Sequence, residues 1–158
     1  MNINHYATRF KQLQLLADSS TCIRRGVAAM VIDEETNHPL VDGYNGTMPG
    51  DSNTCSNIHG KCDRTIFNVP SGTRYDIGCY HAERSCIYRA AEFGIALNGK
   101  TMLITEVPCL DCAKAIARVG IKKVIHRNSD WIDAEGPKYL ISKNIEVCDL
   151  QTIIGNIK

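Results

Sequence analysis

The sequence is short of most features that would take it out of the ordinary globular class. One Trp, three Phe and six Tyr make aromatics only 6% of its 158 residues. That is a thin supply for a surface that stacks the bases of a single strand. A charge of one sign is missing too: 18 Lys and Arg face 17 Asp and Glu, a net charge of +1. So balanced a chain has no general attraction for nucleic acid or a membrane surface, and any anion must be held by a local site. No apolar run approaches the ~20 residues that a membrane span needs. Residues 1–10 are polar and amphipathic and lack the apolar core of a secretory leader, so a cytoplasmic location is expected. Repeats, linkers and low-complexity segments are also lacking. With 44% apolar and 22% charged residues, the composition excludes disorder, collagen-like repeats and coiled coil. The length allows one domain with a real core.

Cysteine is the residue in excess, at eight. In a reducing compartment, clustered Cys and His point to metal sites before disulfides. The elements around them are legible. Ile3, Tyr6, Ala7, Phe10, Leu13 and Ala17 recur at spacings of three and four, an amphipathic helix ending near Asp18. Residues 27–32 (VAAMVI) form a run too short for a helix and predict a buried strand. Residues 40–44 are its partner, with Asn37, His38 and Pro39 in the connection. From 45 to 78 the composition turns polar and aperiodic. A loop of about 30 residues is unusual unless it is functional or tied down, and this one carries Cys55, His59 and Cys62. Helix, strand, helix, strand, helix and strand then follow from His81 to Cys148, with Gly94 and Gly120 as helix stops, and this alternation implies parallel pairing. The expected architecture is a single α/β domain over 1–158, with a loop insertion at about 45–78 and a weakly held tail at 151–158.

Two motifs carry the chemistry: His81-Ala82-Glu83 and Pro108-Cys109-Leu110-Asp111-Cys112, each opening a helix. Cysteines three apart share a helix face and can chelate one ion, and a helix N-terminus favours the thiolate. His81 adds a third ligand. Three protein ligands leave a fourth position for water, the arrangement of a catalytic zinc rather than a structural one. Glu83 cannot readily share that ion with His81 from two positions away, but its carboxyl suits proton transfer beside it. Each motif alone is weak; a closed zinc knot or a redox pair explains Cys-x-x-Cys but not His81 and Glu83 together. His-x-Glu followed by Pro-Cys-x-x-Cys is the signature of the zinc nucleobase deaminases.

On these motifs, on residues 22–32, on Gly43-Tyr44-Asn45-Gly46 and on residues 108–124, the chain resembles the deoxycytidylate (dCMP) deaminases, the bacteriophage members in particular. The resemblance implies the three-layer α/β/α cytidine deaminase-like fold with a five-stranded mixed sheet. It implies hydrolysis of dCMP to dUMP and ammonia, with Glu83 moving protons at cytosine N3 and at the departing amine. It also implies a homohexamer and regulation by dCTP and dTTP, with the effector site around Gly43, Tyr44 and Gly46. Asn45 matches a position near the bound nucleotide, although Asn-Gly is equally a turn signal. Trp131 stands where the family places an aromatic residue, usually Tyr, against the substrate. Arg24, Arg25, Lys61, Arg64 and Arg74 are the cations near enough in sequence to hold phosphates. No nucleic-acid or membrane partner is expected.

Cys86 and Cys148 fall in apolar patterns and are expected as core filler. Cys22, Cys55, Cys62 and Cys79 remain, with His59, around the polar loop. Phage dCMP deaminases carry a second, structural zinc, and by resemblance Cys22, Cys55 and Cys79 match its positions, with His59 or Cys62 as the fourth ligand and His59 favoured. Such an ion would order a loop with little apolar content. Metal analysis of protein purified without chelator should therefore find about two zinc ions per chain. One zinc per chain, with Cys22, Cys55 and Cys79 all rapidly alkylated in the folded protein, would eliminate the second site.

Overall fold

Burial along the strands decides the layering. In β1 (Ala28–Asp33) every side chain but the last is buried. A strand covered on both faces reads as a continuous apolar run. Ala29 and Val31 enter one apolar cluster, while Ala28, Met30 and Ile32 enter the other. The computed structural model describes residues 3–48, 50, 61–70, 79–127 and 135–155.

The elements in chain order are α1 (Ile3–Ala17), β1, β2 (His38–Tyr44), α2 (Asp63–Ile66), α3 (Ala82–Glu92), β3 (Thr101–Ile104), α4 (Leu110–Arg118), β4 (Lys123–His126), α5 (Glu135–Ser142), β5 (Glu146–Asp149) and α6 (Leu150–Gly155). The five strands form one sheet in the order β2-β1-β3-β4-β5. β1 is antiparallel to both β2 and β3, whereas β3, β4 and β5 run parallel. The sheet is mixed because β1 and β2 join by a hairpin turn, while α4 and α5 carry the chain over between parallel neighbours. One face is covered by α3, α4 and α5, through Cys86, Ile87, Ala113, Ile116 and Leu140. The other is covered by α1 and α6, through Tyr6, Phe10, Leu13 and Leu150. Fully burying a side chain such as Phe10 or Leu13 is worth about 1.5–3 kcal/mol, so α1 is held by core contacts rather than by propensity. This is the expected three-layer α/β/α arrangement.

Two local expectations need correction. β2 begins at His38, not after Pro39. Proline fits because β2 is an edge strand and its register against β1 slips between Val31 and Ile32, so that Ile32 faces Pro39. The end of the chain is not a loose tail at its start: residues 150–155 are helical, Leu150 is buried and Ile153 packs on the α1 cluster. The sequence pattern there is short, and only the packing partner makes it helical.

The hairpin turn between β1 and β2 is tied to β3. Lys100 Nζ donates to Asp33 Oδ2 at 2.6 Å, and Asp33 Oδ1 accepts from the Glu35 N–H at 2.9 Å and the Thr36 N–H at 3.3 Å. The Lys100 hydrogen bond, helped by the two amides, holds the Asp33 carboxyl below its usual range. A carboxylate depressed in the folded state stabilises above its unfolded pKa, and the contribution is lost as pH falls through the folded value. Asp33→Asn should therefore lower the urea midpoint at pH 7, and the gap to the parent should close below the ordinary carboxylate range of about 4. Parallel urea melts at both pH values check this; a gap that persists in acid would assign the loss to packing instead.

Candidate active site and metal centre

The C-terminal ends of parallel strands in an open sheet, with the helix N-termini that follow them, are where α/β proteins build sites. Here the ends of β3 and β4 meet the start of β1 and the end of β2. Ala28 is registered against Tyr44, and Ala29 against Ile104, which in turn faces His126. Two helices begin at this edge. His81 is the N-cap of α3 and Cys109 the N-cap of α4, and neither side chain caps its own helix. Both are thus available to a common partner, and Cys112 follows within the first turn of α4.

The structure brings these three together. His81 Nδ1 lies 3.6 Å from Cys109 Sγ and 3.5 Å from Cys112 Sγ, and all three donor atoms lie within 4.8 Å of one another. For a tetrahedral zinc with Zn–S near 2.3 Å and Zn–N near 2.0–2.1 Å, the N···S edge is about 3.6 Å. The donors therefore stand at the spacing such an ion requires, and the one-nitrogen, two-sulfur set fits zinc. Among the described residues no other three such side chains converge.

Electrostatics at the centre follow from burial and crowding. Cys109 carries the thiolate, drawn down to about 4 by a hydrogen bond from Cys112, against its burial, with help from the His81 side chain. Cys112 keeps the shared proton: that same hydrogen bond and burial push its thiol up. Glu83, 4% exposed, sits in the first turn of α3 beside the donors. Burial raises its pKa, and the His81 charge only partly opposes this. A buried carboxyl whose environment favours the neutral acid is a proton carrier in waiting.

The other expected site residues divide. The Asn45 side chain is occupied with backbone: its Oδ1 accepts from the Val27 N–H at 2.8 Å and from Ser20 Oγ at 2.6 Å, and its Nδ2 donates to the Arg25 carbonyl at 2.8 Å. It clips the segment between α1 and β1. Gly43 is where β2 crosses α3, since an added Cβ would lie 2.6 Å from the Cys86 amide nitrogen. Gly46 has room for no side chain either, with Thr21 Oγ1 2.0 Å from where its Cβ would be. It pairs with Tyr80, exchanging Gly46 N–H to Tyr80 O at 3.1 Å and Tyr80 N–H to Gly46 O at 2.7 Å. Tyr44 is exposed. Arg25 is ion-paired with Glu106, and Arg64 donates to the Pro70 carbonyl at 2.7 Å. Cys62 is buried at the start of α2. Cys22 and Cys79 are both partly exposed, and their chain neighbours Thr21 and Tyr80 both touch Gly46. Cys55, His59, Arg74 and Trp131 lie outside the described residues. Cys86 is buried as expected, its thiol pushed up to about 12 by burial, whereas Cys148 is partly exposed, with its thiol against Glu146.

Two positions escaped the sequence reading. Thr105 prolongs the β1–β3 ladder into the loop before Pro108: its N–H donates to the Ala28 carbonyl at 3.0 Å, and its Oγ1 accepts from the Ala28 N–H at 3.0 Å. Gly136, inside α5, touches the Pro108 backbone. A threonine ending an apolar strand and a glycine inside a helical pattern were the available signals.

The geometry can be set beside known proteins. The model for the cytidine and deoxycytidylate deaminase zinc-binding region matches residues 4–127. The chain belongs to this family. Among curated relatives, ComE operon protein 2 of Bacillus subtilis is 32% identical over 73% of this chain and 54% of its own length. The deoxycytidylate deaminase of Enterobacteria phage T4 is 29% identical over 71% of this chain and 72% of its own. The chain thus spans about half of the first relative and most of the second. A crystal structure of dCMP deaminase from the cyanophage S-TIM5, in complex with dCMP and dUMP, aligns with a TM-score of 0.76 and 28% identity, covering 93% of this chain and 97% of that one. Among the described residues no helix is long and apolar enough to cross a membrane.

The Asn45 clip has a measurable consequence. Asn45→Ala removes an acceptor from the Val27 N–H and a donor from the Arg25 carbonyl, and an unsatisfied buried polar group costs about 1–3 kcal/mol. The Val27 N–H is partly buried and the bond to the Arg25 carbonyl is exposed, so a loss of about 1 kcal/mol is expected in urea unfolding. A change within experimental error would mean that water replaces Asn45 without loss.

Proposed function

We propose that the chain catalyses the hydrolytic deamination of dCMP to dUMP and ammonia, a reaction that supplies the deoxyuridylate used to make dTMP. The observation that carries this reading is Glu83, a buried acid with a raised pKa beside an imidazole and two thiols at zinc spacing. Family membership and the likeness to the cyanophage enzyme crystallised with dCMP and dUMP support the choice of substrate. His81, Cys109 and Cys112 are the residues that would hold zinc, which supplies Lewis acidity and a water of pKa near 7. Glu83 takes a proton from the attacking water and gives it to N3 of cytosine. It then moves a second proton, from the new oxygen at C4, to the departing amine. Burial suits Glu83 to this work, because a pKa nearer the working pH lets one group both accept and donate.

Around this centre, the 5′-phosphate is held by cations among Arg24, Arg25, Lys61, Arg64 and Arg74, and Trp131 lies against the nucleotide. Asn45 acts by shaping the loop beside the substrate. Cys22, Cys55 and Cys79, with His59 or Cys62, form the second, structural zinc site. The contacts that bring the neighbours of Cys22 and Cys79 to Gly46 support that grouping. A second nucleotide site for dCTP or dTTP centres on exposed Tyr44, with Gly43 and Gly46 setting its backbone, in a cytoplasmic homohexamer.

Two measurements test the reaction. Ammonia release should favour dCMP over deoxycytidine by at least ~10²-fold in kcat/KM, since charge-assisted phosphate contacts are worth roughly 1.5–3 kcal/mol each. Equal turnover of nucleoside and nucleotide would reject the monophosphate reading, and release only from a cytosine-containing oligonucleotide would point to a polynucleotide substrate. Glu83→Gln should keep its zinc and lose at least ~10²–10⁴-fold in kcat, the range of a single proton-transfer role.

A further inference from the structure

We propose that Gly136 is a positioning residue for the metal centre: by letting α5 lie directly on the Pro108 carbonyl, it fixes Cys109 at the start of α4. The proposal rests on the reading of His81, Cys109 and Cys112 as metal ligands.

A Cβ on Gly136 would stand 1.9 Å from the Pro108 carbonyl oxygen, 2.9 Å from its carbon and 3.1 Å from the carbonyl carbon of Cys109. These are backbone atoms, so no side-chain rotation relieves the contact. Gly136 lies in the first turn of α5 and does not have the positive φ that calls for glycine at Gly94 or Gly99. What the position requires is absence of a side chain. Nor can α5 simply tilt away, because Leu140, one turn on, is fully buried in the sheet-facing cluster. An added methyl must therefore push on Pro108 and Cys109.

The segment is anchored before and after the ligand, by Thr105 on Ala28 and by Ala113 and Ile116 in the sheet-facing cluster, and Gly136 makes the contact at the start of α4 itself. Cys109 is the N-cap of α4, yet its side chain makes no capping bond. Its carbonyl accepts from the Ala113 N–H at 2.8 Å, which fixes the backbone to the helix but not the helix to the site. Cys112, inside the same turn, moves with it. The separation of His81 on α3 from the two sulfurs on α4 thus depends on how α4 is seated, and α5 lies against the residue that begins it. The imidazole has its own seat, through the bridge between Gly46 and Tyr80.

The test reads the metal rather than turnover. Cobalt(II) bound through thiolates gives a charge-transfer absorption whose strength follows the number of sulfur ligands. Gly136→Ala is compared with Gly99→Ala, which strains a backbone at φ 75° but meets no atom within 4 Å. Gly99→Ala should lower stability and leave cobalt affinity and spectrum unchanged. Gly136→Ala should weaken cobalt binding at least tenfold in chelator competition and reduce the thiolate band. Equal affinity and an identical spectrum in Gly136→Ala would overturn the proposal, as would equal metal losses in both variants. Should Gly136→Ala not fold, hydrogen exchange on the parent protein decides. By reciprocity of linkage, loading the metal should slow exchange in α5 as well as in α4, and protection confined to α4 would overturn the role of Gly136. Failure of the parent itself to bind cobalt would instead remove the metal-site reading.

Discussion

Ala28 and Thr105 exchange three hydrogen bonds where the ladder between β1 and β3 ends, and both motif-bearing helices start from that edge of the sheet. Because β1 is antiparallel to β3, its start lies at the end of β3, and the hairpin returns the end of β2 to the same place. The chain leaving β2 reaches Tyr80 through Gly46, and the chain leaving β3 reaches Pro108 through Thr105. A histidine and a cysteine 28 positions apart in sequence meet because two strand ends do. Strand pairing is thus part of the chemistry: a one-residue slip between β1 and β3 would reverse the faces of every side chain and separate the two helix starts.

The centre shows how a low-dielectric pocket divides labour among acids. Burial pushes the Glu83 carboxyl toward neutrality, with a smaller push from the Cys109 charge, while the hydrogen bond from Cys112 favours the thiolate at Cys109. A divalent cation would stabilise both thiolates, while the carboxyl, set on the other helix, keeps a proton to trade.

Much of this was legible in the residues. The apolar run of β1, the spacing of α1 and the alternation after His81 carry their periods locally, and the two motifs state their ligands outright. What was hidden depends on partners distant in sequence. Asn45 looks like a turn residue next to glycine, and nothing near it announces that Ser20, Arg25 and Val27 complete its hydrogen bonds. Leu150 and Ile153 look like the remains of a tail until α1 supplies a surface. Gly136 looks like a weak point in a helix until the Pro108 carbonyl is seen against it. Patterning reports which face is buried; close approaches of backbone to backbone appear only once elements are packed.

The slipped register at Val31 and Ile32, with Pro39 opposite, bears on the chain's behaviour at high concentration. An edge strand with a full row of amides invites another molecule to add to the sheet. Along β2, Pro39 withholds one donor and the irregular pairing twists the edge locally. His38 and Pro39, exposed at the start of the strand, thus blunt the end that would otherwise nucleate edge-to-edge aggregation.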